Sequence, residues 1–154
     1  MNFTYYDEDH PDIEGARSRA EVLLGNDVLS DRRFPPPKVR LIRECSAVCE
    51  AETPTHYDPD TEVKTGGLNG VIVQLRTGEI LLAVNPDSRR HGVATRLLST
   101  IVNSTGRTGF FDLSVHNDEA QHFALTAGYR PLAVTTAGRI HYTSNGNVME
   151  ENTQ

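Results

Sequence analysis

The sequence contains no tryptophan and no apolar run approaching the roughly 20 residues that a bilayer-spanning helix needs. We therefore expect an aliphatic core and no membrane segment. The N-terminal stretch MNFTYYDEDHPDIE has neither a basic start nor an apolar run, so it does not fit a secretion signal.

Cysteine is also scarce, and the two that occur, Cys45 and Cys49, predict no disulfide. On one strand they would lie about 13 Å apart, which is too far for a bridge. Small buried hydrophobic side chains are the simpler interpretation, and a metal pair on a helix is the alternative. A reducing, cytoplasmic setting is the expectation that follows.

Positive charge is in the minority, with 15 Lys and Arg against 21 Asp and Glu and a formal net charge of −6. This balance disfavours general nucleic-acid binding and favours cationic partners such as amines. A local basic patch leaves transfer to a nucleobase or another macromolecular amine open. Its members are Arg32, Arg33, Lys38, Arg40 and Arg43.

The chain shows no internal repeat and no linker, so we expect one domain over residues 1–154, with a flexible tail over 146–154. Hydrophobic periodicity, glycines and prolines predict its elements. In order, they are an extended start at 2–6, a helix over 11–25, a strand over 39–52, a polar loop over 53–65, a hairpin of strands 71–76 and 79–84, a helix over 92–106, a strand over 110–116, a helix over 117–128 and a closing hairpin of strands 129–135 and 139–143. This order predicts an α/β fold with a mixed sheet.

The most informative stretch is ILLAVNPDSRRHGVATRLLSTIV, residues 80–102, in which a strand becomes a helix across NPDSRRHG. Gly92 allows close backbone approach to a ligand, and the first amides of the following helix have no partner within the helix. Together with the helix dipole and two adjacent arginines, they would form an anion site suited to a diphosphate. An ordinary strand-to-helix turn with exposed basic residues is the alternative. Neither a GxxxxGK[ST] nor a GxGxxG phosphate motif is present.

Arg89-Arg90-His91-Gly92-Val93-Ala94 resembles the R/Q-x-x-G-x-G/A turn of the GNAT superfamily of acyl-CoA N-acyltransferases. SVHNDEAQHFALTAGY is similar to the second hallmark of that family, an N-x-x-A followed by a closing G-F or G-Y. Together the motifs cover residues 80–129, about a third of the chain. The resemblance implies a mixed, mostly antiparallel central sheet with helices on both faces, in which strands 79–84 and 110–116 are neighbours that splay apart in a V.

The resemblance also implies an acyl-CoA cofactor, acetyl-CoA first among them. Backbone amides of the turn would hold the pyrophosphate, backbone groups of the preceding strand would pair with pantetheine, and the strand-end Asn would lie beside the pantetheine arm. The implied residues are Arg89, Arg90, His91, Gly92, Val93, Ala94 and Thr95 for the turn, Leu82, Ala83 and Val84 for the strand, and Asn117 for the arm. A helix N-cap role for Asn117 is equally open.

This chain departs from the family at the position seven residues after that Asn, where a Tyr commonly protonates the leaving thiolate and Ala124 stands here. A thiol with a pKa near 8.5 can leave as thiolate without a proton donor, so the departure need not abolish transfer. Tyr129 is a substitute donor, although a Tyr directly after a helix end more often packs in the core.

An amine acceptor must lose a proton, so a base is expected near the splay. Strand alternation predicts Asp112, Ser114 and His116 on one face, and His116 is the first candidate because imidazole titrates near neutral pH. Glu79 is the second. An exposed strand-end His and a surface Glu are the simpler interpretations. His116 and His122 lack a third ligand for a metal, so no metal site is expected.

The sequence thus predicts transfer of an acyl group, usually acetyl, from acyl-CoA to a small-molecule or peptide amine through a ternary complex. A binding or structural module that kept the fold and lost the reaction is one alternative, motivated by Ala124. Transfer to a macromolecular amine is another. An exposed terminal strand makes a homodimer possible.

Overall fold

The computed structural model describes residues 1–25, 44–88, 92–135 and 137–144. Within them, three α-helices and seven strands alternate as the sequence pattern predicts. The elements are β1 (Asn2–Asp7), α1 (Ile13–Leu24), β2 (Cys45–Asp58), β3 (Val63–Leu75), β4 (Ile80–Val84), a 3₁₀ turn (Pro86–Ser88), α2 (Val93–Thr105), β5 (Phe110–Ser114), α3 (Asp118–Thr126), β6 (Tyr129–Val134) and β7 (Arg139–Ser144). None of these helices has both the length and the apolar character that crossing a membrane demands.

The strands form two antiparallel sheets, ordered β1-β2-β3-β4 and β5-β7-β6. The sheets meet at one isolated parallel bridge, between Glu79 and Phe110. Beyond that bridge, β4 and β5 belong to separate sheets, so they join where they begin and part toward Val84 and Ser114. This arrangement confirms the predicted mixed, mostly antiparallel sheet with a V-shaped splay.

The first sheet is buried on both faces because its inner strands are apolar at successive positions. On β4, Leu82 and Val84 face α2, whereas Leu81 and Ala83 face α1. The predicted helices on both faces are therefore confirmed. Burying an aliphatic side chain of this size contributes roughly 1.5–3 kcal/mol, so α1 and α2 are held to the sheet mainly by apolar packing.

The two cysteines lie on β2, where both are buried and reduced. Burial is the largest cause that raises the pKa of each thiol, and the pKa of Cys49 reaches about 12. Their predicted role as small buried hydrophobes is confirmed.

The predicted loop over 53–65 is wrong. Its residues continue β2 to Asp58 and begin β3 at Val63. Backbone pairing, such as His56 with Thr65, extends the hairpin past the core. Because the side chains there are polar and mostly exposed, hydrophobic periodicity gave no sign of a strand.

The predicted strand over 110–116 is two residues too long, since β5 ends at Ser114. Three other predictions lie outside the described residues: the beginning of the strand at 39–43, the tail at 146–154, and the basic patch of Arg32, Arg33, Lys38, Arg40 and Arg43. Among the described strands, the last one, β7, is central in its sheet, whereas β6 is an edge strand with Leu132 and Val134 exposed on it. Pairing with a second copy stays a prediction.

Candidate functional site

Among the described residues, nothing accepts a hydrogen bond from the first backbone amides of α2. Gly92 is the N-cap, in the left-handed conformation with φ of 75°. The first intrahelical hydrogen bond runs from the Arg96 amide to the Gly92 carbonyl at 3.0 Å, so the amides of Val93, Ala94 and Thr95 have no acceptor within the helix. A Cβ at Gly92 would meet nothing within 4 Å. With no acidic residue in the first turn, the helix start is electropositive and accessible.

Close packing against β3 determines where this helix start lies. A Cβ at Gly70 would come within 3.0 Å of Leu97 Cδ1 and 3.2 Å of Val93 Cγ1, so the missing side chain lets α2 approach the sheet. Val93 and Leu97 are buried against the same core. The position of the unbonded amides is therefore set by packing on the sheet.

A hydrogen-bonded clamp fixes the turn that connects β4 to this helix. The Ser88 hydroxyl donates to Asn69 Oδ1 at 2.9 Å, and the side-chain Nδ2 of Asn69 donates to Thr53 Oγ1 at 2.7 Å. The Asn85 amide donates to the Asn69 carbonyl at 2.7 Å. Asn69 thus ties the turn to β2 and β3.

A cleft of about 520 Å³ opens in front of the helix start. Its walls are the end of β4, the 3₁₀ turn, the first turn of α2 and one face of α3. The lining residues are Val84, Pro86, Ser88, Gly92, Val93, Ala94, Thr95, Glu119, His122, Phe123 and Thr126. The cleft therefore brings Val84 and four of the predicted turn residues together.

The wall from α3 was not anticipated from the sequence. Its four residues are Glu119, His122, Phe123 and Thr126, spaced at i, i+3, i+4 and i+7, which places them on one helix face. That spacing is the signal in the sequence that could have identified the wall, whereas His122 by itself suggested only a metal ligand. The imidazole of His122 and the carboxylate of Glu119 give this wall a mixed polar character.

The other predicted cofactor residues lie in the core, at the N-cap of α3, or outside the described residues. Leu82 is buried against α2 and Ala83 against α1, so their side chains are core. Asn117 is the N-cap of α3, and its side-chain oxygen accepts from the Ala120 amide at 3.1 Å. The N-cap role is confirmed, and contact with a pantetheine arm stays a prediction. Arg89, Arg90 and His91 lie outside the described residues.

The three candidate catalytic residues are not gathered at one end of the splay. Glu79 lies at the base, next to Phe110, and is only 3% exposed, so its surface interpretation is wrong. His116 lies beyond the far end of β5. That end, Ser114, is about 13 Å from Phe110 along the strand. His116 is exposed in a turn, and its amide donates to Ser114 Oγ at 3.1 Å, so strand alternation does not place it with Asp112 and Ser114.

Tyr129 has the character of a packing residue. It is 4% exposed, and its ring packs edge-on against Phe111 at 5.0 Å between centroids. Its hydroxyl donates to the Thr108 carbonyl, just before β5, and burial raises the pKa of Tyr129 to about 12. Ala124 is fully buried in the same core, so the described structure offers no hydroxyl at that position.

The fold is shared with solved acetyltransferase structures at low sequence identity. A protein from Desulfovibrio desulfuricans assigned to the GNAT family matches with a TM-score of 0.57 and 18% identity, over 92% of this chain and 97% of that chain. An aminoglycoside 6'-N-acetyltransferase complexed with coenzyme A matches with a TM-score of 0.57 and 15% identity, over 92% and 95% of the chains. The PaiA N-acetyltransferase from Thermoplasma acidophilum, also in complex with coenzyme A, matches with a TM-score of 0.53 and 13% identity, over 94% and 99%.

No curated protein matches the sequence significantly. The sequence model of the Acetyltransferase (GNAT) family matches residues 29–129, which is 101 of the 154 residues. That range contains the splay, the turn at Gly92, the helix start that follows it and the whole of the α3 wall. The chain belongs to the GNAT acetyltransferase family.

Proposed function

We propose that this protein is an N-acyltransferase that moves an acyl group, in the first instance acetyl, from acyl-CoA to a small-molecule or peptide amine in the cytoplasm. The observation that carries the proposal is the open start of α2, whose amides and Gly92 face a cleft beside the splay. The coenzyme A complexes of the aminoglycoside and PaiA acetyltransferases support it through their shared fold.

The residues around the cleft fit an acyl-CoA. A pyrophosphate carries negative charge, and a helix start with three unbonded amides is suited to hold it. Gly92 lines the cleft, and a Cβ there would meet nothing within 4 Å. The pantetheine arm would follow β4 past Val84 into the splay, with Asn117 nearby. When bound, the cofactor would supply an activated thioester carbonyl.

The protein's part in the reaction would be to hold the two reactants in line and to receive a proton from the amine. Positioning alone supplies much of the rate of such bimolecular transfers, and a general base typically adds 10²- to 10⁴-fold. Glu79 and His116 are the candidate bases from the sequence. Tyr129 is a weaker candidate donor, because its hydroxyl already donates to Thr108 and its pKa is about 12.

Two measurements test this function in sequence. Isothermal calorimetry with acetyl-CoA should show saturable binding, and this binding should be lost in Gly92→Glu and in the double variant Arg89→Glu/Arg90→Glu. Thiol release should then follow addition of amines from a panel of polyamines, peptides, aminoglycosides and amino acids. Because Cys45 and Cys49 are buried, the native protein's own thiols should contribute little to such an assay. Absence of acetyl-CoA binding in the intact protein would refute the proposal.

A second candidate function is a module that binds acyl-CoA without turnover. Ala124 favours it, since the family's usual proton donor is replaced by a fully buried methyl group. Saturable acetyl-CoA binding with thiol release at the background rate for every amine would establish this alternative. Sustained turnover with any amine would eliminate it.

A further inference from the structure

One face of the second sheet carries polar and aromatic groups that no part of the proposed function uses. On β5, Phe111 and Leu113 point into the core beneath α2, so Phe110 and Asp112 point to the opposite face. Their partners on β7 are Thr143 and His141, and these four side chains are half-buried.

Within the described residues, no helix packs on this face. The core beneath α1 contains residues of β1 to β4 and none of β5, β6 or β7. The face therefore lies beside the splay, on the side of the sheet opposite the cleft, since the cleft is walled by α2 and α3. We call Phe110, Asp112 and His141 of this sheet, together with the bridge partner Glu79, which is already a candidate base, the acceptor face.

Contacts within the acceptor face bring its members to the base of the splay. Glu79 and Phe110 are bridge partners, so their side chains point to the same side of the sheet. The His141 ring stacks on the Phe110 ring, with 4.4 Å between centroids and 22° between planes. Asp112 accepts from Arg139 Nε at 3.1 Å and is the register partner of His141.

The position of the cleft determines how an amine can approach. If the acyl-CoA arm enters the splay from the cleft, an attacking amine must approach from the other side of the sheet. In the described part of the chain, the acceptor face lies on that side. Resting on the proposed function, we propose that the acceptor face receives the amine and that His141 is the residue that takes its proton.

His141 is better suited to this step than the neighbouring carboxylates. Glu79 is 3% exposed and already engaged by other groups, and Asp112 is held by Arg139. His141 is half-buried, and its ring stacks on the Phe110 ring. Imidazole accepts protons near neutral pH. The ring lies one strand, about 4.8 Å, from β5, so a proton can reach it directly or through one water.

The formal net charge of −6 over the whole chain favours a cationic acceptor. Among the described residues, Asp112 and Arg139 form an ion pair beside His141, Glu79 and Arg107 lie near Phe110 at the base of the splay, and the Arg130 guanidinium on β6 is bound to the Leu125 and Tyr129 carbonyls, so this face itself has no excess of positive charge that is free of a partner. The partner of His141 on β6 is Ala133, which is uncharged. We therefore expect polyamine-like acceptors, with a second positive charge near the reacting nitrogen, rather than amino acids, whose carboxylate would be repelled.

The atoms balance without any further reactant. The amine nitrogen forms a bond to the thioester carbonyl carbon, the carbon–sulfur bond breaks, and the sulfur leaves as coenzyme A thiolate. The proton lost by the nitrogen passes to a His141 ring nitrogen and then to solvent.

The test compares His141→Gln with His116→Gln, using acetyl-CoA as donor and spermidine and glutamate as probe amines. His56→Gln is the matched control, because His56 is exposed on β2, outside the cleft and the acceptor face. Calorimetry gives the Kd for acetyl-CoA, thiol release gives kcat/KM against pH, and thermal unfolding reports on the fold.

We expect His141→Gln to keep the acetyl-CoA Kd and the melting temperature while kcat/KM for spermidine falls at least a hundredfold and its rise with pH flattens. Added imidazole should partly restore the rate in His141→Ala, which a purely structural role would not produce. Spermidine should exceed glutamate as acceptor, and His56→Gln should match the parent.

Three results would overturn the inference. They are a His141→Gln rate within threefold of the parent, loss of the rate in His116→Gln instead, or binding of acetyl-CoA with no transfer to spermidine. The proposed function fails separately, by absence of acetyl-CoA binding, and the inference would fall with it.

Discussion

The open start of α2 makes a quantitative prediction for Gly92→Ala, and the other end of the same helix provides a matched control. Gly92 has φ of 75° and Gly106 has φ of 72°, and in both a Cβ would meet nothing within 4 Å. Alanine costs roughly 1–2 kcal/mol in this left-handed conformation. Part of that cost is offset by about 0.4–1 kcal/mol from the less flexible unfolded chain.

The two variants should therefore lose similar stability. We expect a net loss of about 1 kcal/mol for each, which corresponds to a melting temperature lower by about 2–4 °C in a chain of this size. Thermal unfolding followed by circular dichroism measures it. Equal losses would show that the backbone strain is matched.

The effect on acetyl-CoA binding should differ sharply. Gly92 lines the cleft and Gly106 does not. A methyl group at Gly92 would displace a phosphate from at least one amide, and a hydrogen bond to a charged group is worth about 1.5–3 kcal/mol. That range corresponds to an increase in Kd of about 10- to 150-fold, since 1.4 kcal/mol is tenfold.

Calorimetry with acetyl-CoA on the parent, Gly92→Ala and Gly106→Ala decides the matter. We expect only Gly92→Ala to weaken binding. If both variants bind acetyl-CoA within threefold of the parent, the amides after Gly92 do not hold the pyrophosphate, and the reasoning behind the site is wrong.

Three further predictions concern the clamp, the buried tyrosine and the thiols. Asn69→Ala removes the hydrogen bonds to Thr53 and Ser88, so the free energy of unfolding in urea should fall by about 1–3 kcal/mol. Calorimetry should also show weaker acetyl-CoA binding. Unchanged binding would show that the clamp does not position the turn. Burial raises the pKa of Tyr129 from 10.0 to about 12, so the contribution of this residue to stability is complete below pH 10 and is lost as pH rises toward 12. Relative to Tyr129→Phe, the free energy of unfolding of the wild-type protein in urea titrations should fall by about 1.4 kcal/mol between pH 8 and pH 11. Equal pH dependence of the free energy of unfolding in both proteins would contradict this. Cys49, buried with a pKa of about 12, should react with a disulfide reagent at least a hundredfold more slowly in the native protein than in urea, and rapid native labelling would contradict its burial.

Much of the fold followed from local pattern. Apolar spacing predicted α1 and α2, and Gly25 and Gly106 predicted where they end. The Thr77-Gly78 pair predicted the turn between β3 and β4. These features depend on residues a few positions apart, and hydrophobic periodicity and backbone preferences report on that range.

The prediction failed where backbone pairing replaces side-chain packing. The outer part of the β2–β3 hairpin is polar, and its register is set by cross-strand bonds such as that of Asp58 with Val63. No periodic apolar signal accompanies such pairing. The same cause explains why β5 ends at Ser114, two residues before the predicted end. The end of a strand depends on whether its partner strand continues.

The sequence by itself determined the glycine turn, the helix that follows it and the family, because each depends on residues adjacent in the chain. Only the tertiary structure decided that β7 lies between β5 and β6, which sets His141 beside Phe110 and Asp112. It also decided that Glu79 is buried at the base of the splay and that one face of α3 closes the cleft. These placements arise from packing between segments that are distant in the chain. Such contacts leave no pattern in the spacing of neighbouring residues.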